Sequence, residues 1–251
     1  MKEKNIDLTT EVSAIVFDCD STMSSIEGID VLAENNNVGE QVKKITDAAM
    51  GKVGLTPELY RERLDLVKPT YDQVVELGKL YFDKIIPHLK DVVMCCQRLN
   101  KQVYVVSAGM FPAVALFASF LNIPKENVFA VNIKFDKFGN YVDFDHESPL
   151  IHNDGKRQIV SQLLNEHERI IHIGDGLNDH AVKDLVTRFI GFGGVAYREK
   201  VATFSDYYIS TYSLAPVLPL ILTAKEKKLL SNEELKTYAE GLKYFVKIGT
   251  D

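Results

Sequence analysis

The stretch AIVFDCDSTMSS, Ala14 to Ser25, ends an apolar run on two acids one residue apart. Asp and Ser are common turn formers, so an acidic turn is one reading of Asp18 and Asp20. A shared site, two carboxylates with a cation between them, is the other. Strand alternation puts Asp18 and Asp20 on one side and Cys19 on the other, so Cys19 is not read as a nucleophile. Two more apolar runs also finish on polar or glycine-rich turns: QVYVV leads into Ser107-Ala108-Gly109, and RIIHI leads into Gly174-Asp175-Gly176. Ser107 suits a helix N-cap and equally a phosphate contact, because helix N-termini bind phosphate. Lys156 opens a helical pattern after HNDG, where the helix dipole disfavours a cation. A bound phosphate removes that conflict. A phosphate ester is anionic, so its catalyst must neutralise charge and position a nucleophile. Mg²⁺ held by a few carboxylates does the first, and Asp18 and Asp175 each end a strand where they can supply them.

Arg63 raises a separate question. On a helical wheel of LYRERLDLV, Leu59, Tyr60, Leu64, Leu66 and Val67 form one apolar arc, with Arg61, Glu62 and Asp65 opposite. Arg63 falls near the middle of the apolar arc. It needs an anionic partner, unless it is a snorkelling side chain. Glu27 closes the sequence SSIE, which matches a capping box with Ser24 as N-cap.

Elements must bring these residues together. Apolar, β-branched runs at 14–17, 102–106, 169–173 and 189–192 read as buried strands. Helical patterns at 90–100, 111–121, 158–166 and 181–186 alternate with them. That alternation implies an α/β fold with a parallel sheet and helices on both faces. Ligands then bind beyond the carboxyl ends of the strands, where the three turns converge. Residues 23–88 break the alternation and read as amphipathic helices inserted over that edge. The expected division is a core of 1–22 and 89–251 with a helical cap of 23–88. NVFAVNIKFDKFGNYVDFD, with a turn at Lys137–Asn140, reads as a β-hairpin. The tail from Thr223 reads as charged and helical.

The composition narrows the function. The 251 residues are 46% hydrophobic and 25% charged, with a net charge of −6, which suits a soluble enzyme and offers no basic surface for nucleic acid. Cys19, Cys95 and Cys96 do not suggest a disulfide framework or a zinc site. MKEKNIDLTT lacks the apolar core of a signal peptide, and LAPVLPLIL is too short to span a membrane. The expectation is a cytoplasmic protein acting on a small molecule, with no nucleic-acid or membrane partner. A homodimer is compatible with it.

The ordered motifs resemble the haloacid dehalogenase-like (HAD) phosphatases: DCDST for the DxDxT signature, VVSAG for the serine motif, Lys156 for the third motif and GDGLNDHA for the fourth. Within that superfamily EGID, AAMGK, RERL, LNIPKENVFA and FIGFGG resemble the phosphoserine phosphatase group. The resemblance implies a Rossmann-like core with a C1-type cap. It makes Asp18 the nucleophile that forms an aspartyl-phosphate and Asp20 the general acid, later the base. Ser107 and Lys156 hold the phosphoryl group. Asp18, Asp175 and the backbone carbonyl of Asp20 bind Mg²⁺, while Asp179 orients metal-bound water without being a ligand itself. Arg63 reads the substrate carboxylate and Glu27 its ammonium. Met50, Gly51, Ala108, Gly109 and Asn178 complete the substrate pocket. Ala108 departs from the group, which has glycine there; its backbone N–H still donates if φ stays negative. Asp20 must hold a proton when substrate binds, raised by a neighbouring carboxylate and by exclusion of water.

The implied reaction is hydrolysis of O-phospho-L-serine, the last step of serine biosynthesis. Transfer of the phosphoryl group to an acceptor such as homoserine, or action on another small phosphomonoester, is the alternative. A non-catalytic phospho-ligand sensor would lack at least one of these groups, and all are present.

Overall fold

The computed structural model describes residues 6–50 and 55–248. Among the described residues eight strands form: β1 (Ala14–Phe17), β2 (Gln102–Met110), β3 (Val128–Val131), β4 (Ile133–Phe135), β5 (Tyr141–Phe144), β6 (Ile170–Gly174), β7 (Arg188–Phe192) and β8 (Tyr207–Ile209). Six make one sheet in the order β3-β2-β1-β6-β7-β8, and every neighbouring pair runs parallel. β1 is central and wholly buried, as a parallel strand covered on both faces must be. Phe17 aligns with Val105 on one side and Ile173 on the other. Asp18, one position on, and Ser107 and Asp175, two positions on, therefore come to the same end of the sheet.

Four helices fill the segment between β1 and the next βα unit: α1 (Gly28–Asn35), α2 (Gly39–Met50), α3 (Pro57–Val67) and α4 (Tyr71–Asp83). Thr56 caps α3 by accepting from the Leu59 N–H, and Thr70 with Gln73 forms a capping box on α4. After α5 (Leu89–Arg98) and β2 comes α6 (Phe111–Phe120), against which α4 packs. α7 (Gly155–Leu163), α8 (Leu177–His180), α9 (Glu199–Phe204), α10 (Val217–Ile221), α11 (Ala224–Lys227) and α12 (Asn232–Ile248) complete the chain. The edge strand β8 is closed by α12: the Tyr244 hydroxyl donates to the Tyr208 carbonyl at 3.0 Å and accepts from the Ser210 N–H at 2.8 Å. Among the described residues no helix is long and apolar enough to cross a membrane.

Four expectations are corrected. The run from Asn127 is only half hairpin: β4 and β5 pair antiparallel, but Val128–Val131 joins the main sheet beside β2. An alternating pattern specifies a strand without specifying its partner. The helix expected over 181–186 does not form: the single turn α8 ends at His180, and turns follow through Leu185. The box expected in SSIE does not form: α1 starts at Gly28 with Glu27 at its N-cap, and the Ser24 hydroxyl donates to the Lys84 carbonyl. Leu66 lies outside the buried arc of α3, with 36% exposure.

Candidate active site

Asp18 follows β1 directly, and its backbone N–H donates to the Ile173 carbonyl at 2.9 Å. Its carboxylate meets Lys156 Nζ at 2.7 Å. Lys156 stands in the first turn of α7 and also meets Asp179 Oδ1 at 2.7 Å. The cation that the helix dipole disfavours is thus held by two buried anions. Burial works against its charge, but Asp179 and Asp18 outweigh that and push its pKa up. Asp179 is wholly buried. It also accepts from His172 Nε2 at 2.7 Å and from the Gly176 N–H at 3.0 Å. Burial pushes its carboxyl up, but Lys156 and His172 prevail and hold it at about 2. Gly174 makes this approach fit, since a Cβ there would lie 2.1 Å from Asp179 Cγ.

Asp175 accepts from the Thr22 hydroxyl at 3.4 Å and pairs with Arg198, whose Nη2 lies 3.0 Å away. Ligand atoms of Asp18, Asp175 and Asp179 all lie within 4.8 Å of one another. Burial first, and the neighbouring carboxylates next, push Asp18 and Asp175 upward. Crowded, buried, oxygen-only donors fit a hard divalent cation, which reverses that upward push. Among these three, Asp179 is already engaged on both oxygens.

Asp20 sits differently. Its Oδ1 accepts from the Tyr81 hydroxyl at 2.6 Å and the Gly28 N–H at 2.7 Å. Its Oδ2 accepts from the Ser107 hydroxyl at 3.4 Å. Burial raises its pKa against those donors and against Lys156. The rise therefore comes from loss of water, and not from the neighbouring carboxylate invoked from sequence. Gly28 is needed for the Tyr81 contact, because a Cβ there would lie 2.1 Å from that hydroxyl. Ser21, between Asp20 and Thr22, holds φ at 54° and donates to Glu27 Oε1 at 2.5 Å. A serine in this left-handed region costs on the order of 1 kcal/mol, the kind of strain found at functional sites.

Ser107 caps no helix, contrary to the N-cap reading: β2 runs on to Met110, and the Ser107 hydroxyl accepts from the Gly109 N–H at 2.9 Å. Ala108 keeps a negative φ, so its methyl brings no backbone strain.

Most of these groups border one cavity of about 810 Å³, with Asp179 and His172 behind its wall. It is lined by Asp18, Asp20, Ser107, Ala108, Gly109 and Lys156 from the sheet edge, by Asp175 and Asn178 from the fourth motif, and by Glu27 and Arg63 from the helical segment. Gly51 lies outside the described residues, as does the side chain of Met50. Burial, then Asp20 and Asp175, raise Glu27 to about 8. Arg63 is half-buried, and no salt bridge or hydrogen bond to it forms among the described residues; its Nε is fully covered and unpartnered. Burial lowers its pKa. The internal ion pair that would have explained this arginine is not there.

Sequence reasoning missed three groups at the site: Tyr81, Arg198 and His172. The last donates its Nε2 to Asp179, which leaves Nδ1 buried without a donor. Arg198 had a signal, since it lies in the loop after β7 at the carboxyl edge of the sheet. Tyr81 had none beyond its place on an amphipathic helix.

Residues 12–181 match the family model of the haloacid dehalogenase-like hydrolases. The chain belongs to that family. It is 34% identical to a phosphoserine phosphatase of Bos taurus over 207 residues, covering 82% of this chain and 92% of that protein. It is 36% identical to the phosphoserine phosphatase of Homo sapiens, covering 79% and 89% respectively. Among solved structures, a phospho-aspartyl intermediate analogue of a phosphoserine phosphatase aligns with TM-score 0.73 at 25% identity, over 85% of this chain and all of that one. A phosphoserine phosphohydrolase-like protein from Francisella tularensis aligns with TM-score 0.74 at 25% identity, over 84% of this chain and all of that one.

Proposed function

We propose that this chain is a cytoplasmic, Mg²⁺-dependent phosphatase that hydrolyses O-phospho-L-serine through an aspartyl-phosphate, the last step of serine biosynthesis. One observation carries the substrate claim: Arg63, half-buried with its Nε covered and unpartnered and with no ion pair among the described residues, lines the same cavity as Asp18, Lys156 and Ser107. A buried guanidinium left without an anion is costly, and a bidentate fork fits a carboxylate. Glu27, held mostly protonated by burial and by Asp20 and Asp175, ionises when an ammonium stands beside it and then supplies the opposite charge. Relatives named for this substrate span most of the chain.

In this reading the helices of 23–88 act as a cap that closes over the sheet edge. Asp18 and Asp175, with the Asp20 carbonyl, would hold the metal, whose charge offsets that of the phosphoryl oxygens. An Asp18 oxygen attacks phosphorus and the P–O ester bond breaks. Asp20 gives its proton to the leaving alkoxide, releasing serine. Asp20, now ionised, takes a proton from water, whose oxygen attacks phosphorus and frees Asp18. Lys156 fixes the Asp18 carboxylate and, with Ser107, steadies the phosphoryl group.

Steady-state assay over O-phospho-L-serine, O-phosphoethanolamine and aryl phosphates tests the proposal. A preference for O-phospho-L-serine that Arg63→Ala abolishes is the expected result. Turnover of aryl phosphates with none on O-phospho-L-serine would sink the substrate assignment.

A further inference from the structure

The side chain of Tyr60 stands one helical turn before Arg63 on α3, so the two share a face. It lines the cavity with Arg63 and Leu64, and only 5% of it is exposed. Its ring packs against Phe144 of the hairpin, centroids 5.1 Å apart and planes tilted by 59°. That contact fixes where the phenol points. The hydroxyl forms no hydrogen bond with any described residue. Among the described residues, the fully covered side-chain polar atoms without a partner are Thr46 Oγ1, Arg63 Nε, Tyr141 Oη and His172 Nδ1. The Tyr60 hydroxyl is not one of them: it is neither fully covered nor bonded to a described residue, and its side chain lines the cavity. Burial raises its pKa, which keeps it a donor. Leucine would fill this part of the cavity wall without bringing a polar atom into it. A donor with no acceptor among the described residues, on the same helix face as a cation with no ion pair among them, suits an anionic group of the ligand.

We propose that Tyr60 is a specificity-determining residue, donating its phenolic hydrogen to the substrate carboxylate that Arg63 also binds. The phosphoryl end of the ligand lies at Asp18, Lys156 and Ser107, and Glu27 takes the ammonium, so the carboxylate is the group left for α3. The ligand class is thus a phosphomonoester of an amino acid with a free carboxylate. This rests on the phosphoserine reading above.

The test compares wild type, Tyr60→Phe and Tyr141→Phe on O-phospho-L-serine and on O-phosphoethanolamine, which lacks the carboxylate. Tyr141 is a control, because its unpartnered hydroxyl is sealed away from the cavity. In Tyr60→Phe the KM for O-phospho-L-serine rises about tenfold, the loss expected for one hydrogen bond to a charged group. Its kcat holds, and kinetics on O-phosphoethanolamine stay unchanged. Tyr141→Phe leaves the ratio of kcat/KM between the substrates as in wild type. Tyr60→Leu, which also gives up the ring contact, shows the same substrate-dependent loss. Equal losses on both substrates, or none on either, overturn the Tyr60 assignment while a selective wild type upholds the phosphoserine reading. A wild type indifferent to the carboxylate overturns both.

Discussion

Removing the Tyr81 hydroxyl isolates one term in the chemistry of Asp20. Tyr81 is fully buried, and its ring stacks on Phe117 with centroids 5.7 Å apart, so Tyr81→Phe keeps the packing and loses one donor. That donor meets Asp20 Oδ1 at 2.6 Å. A hydrogen bond to a charged group contributes about 1.5–3 kcal/mol, and one pKa unit corresponds to about 1.4 kcal/mol. The donor favours the ionised carboxylate, so its loss raises the Asp20 pKa by about 1–2 units. The first chemical step needs Asp20 protonated. Protonated enzyme then persists to higher pH, and the alkaline limb of kcat/KM moves up by the same amount. The assay is a pH–rate profile on O-phospho-L-serine for both proteins. A limb that stays in place, or moves down, refutes Asp20 as the proton donor.

Asp18→Asn removes the attacking oxygen and lowers kcat on the order of 10⁴-fold, with no phosphoenzyme trapped by acid quench; full turnover removes Asp18 from that role. Burial raises the pKa of Asp18, Asp20, Glu27 and Asp175. The metal-free folded protein therefore holds protons that the unfolded chain has lost, and its stability falls as pH rises through the folded values. Mg²⁺ needs ionised ligands, so at a hundred times its Kd it raises Tm by about 5–10 °C at pH 8 and by less at pH 5.5; an equal gain at both pH values contradicts this, read by thermal shift. Lys101, buried before β2 at the opposite end of the sheet, pairs with Glu226 and donates to the Val12 carbonyl at 2.9 Å. Lys101→Met leaves the buried Glu226 carboxylate without its cation and costs about 3–5 kcal/mol with kcat unchanged, measured by denaturant titration and steady-state assay.

The sequence alone determined the order of the strands' polar endings, because a buried strand that stops on Asp or Gly-Asp-Gly advertises its end locally. Asp18, Asp20, Ser107, Lys156 and Asp175 were legible for that reason. Arg63 was legible as a conflict, a cation on an apolar arc. Only the tertiary structure decided the partners. Lys156 was read as awaiting phosphate, and it holds Asp18 and Asp179 as well. Asp20 owes its raised pKa to burial, which prevails over a donor from Tyr81, 61 positions away. Ser107 lost its expected N-cap because pairing with β3, which aligns Met110 with Val131, draws β2 past it. Val128–Val131 chose β2 over a hairpin for the same reason. Periodicity and turn chemistry are local and can be read in order, whereas desolvation, ion pairing and strand partnership depend on which distant residues arrive, and folding alone sets that.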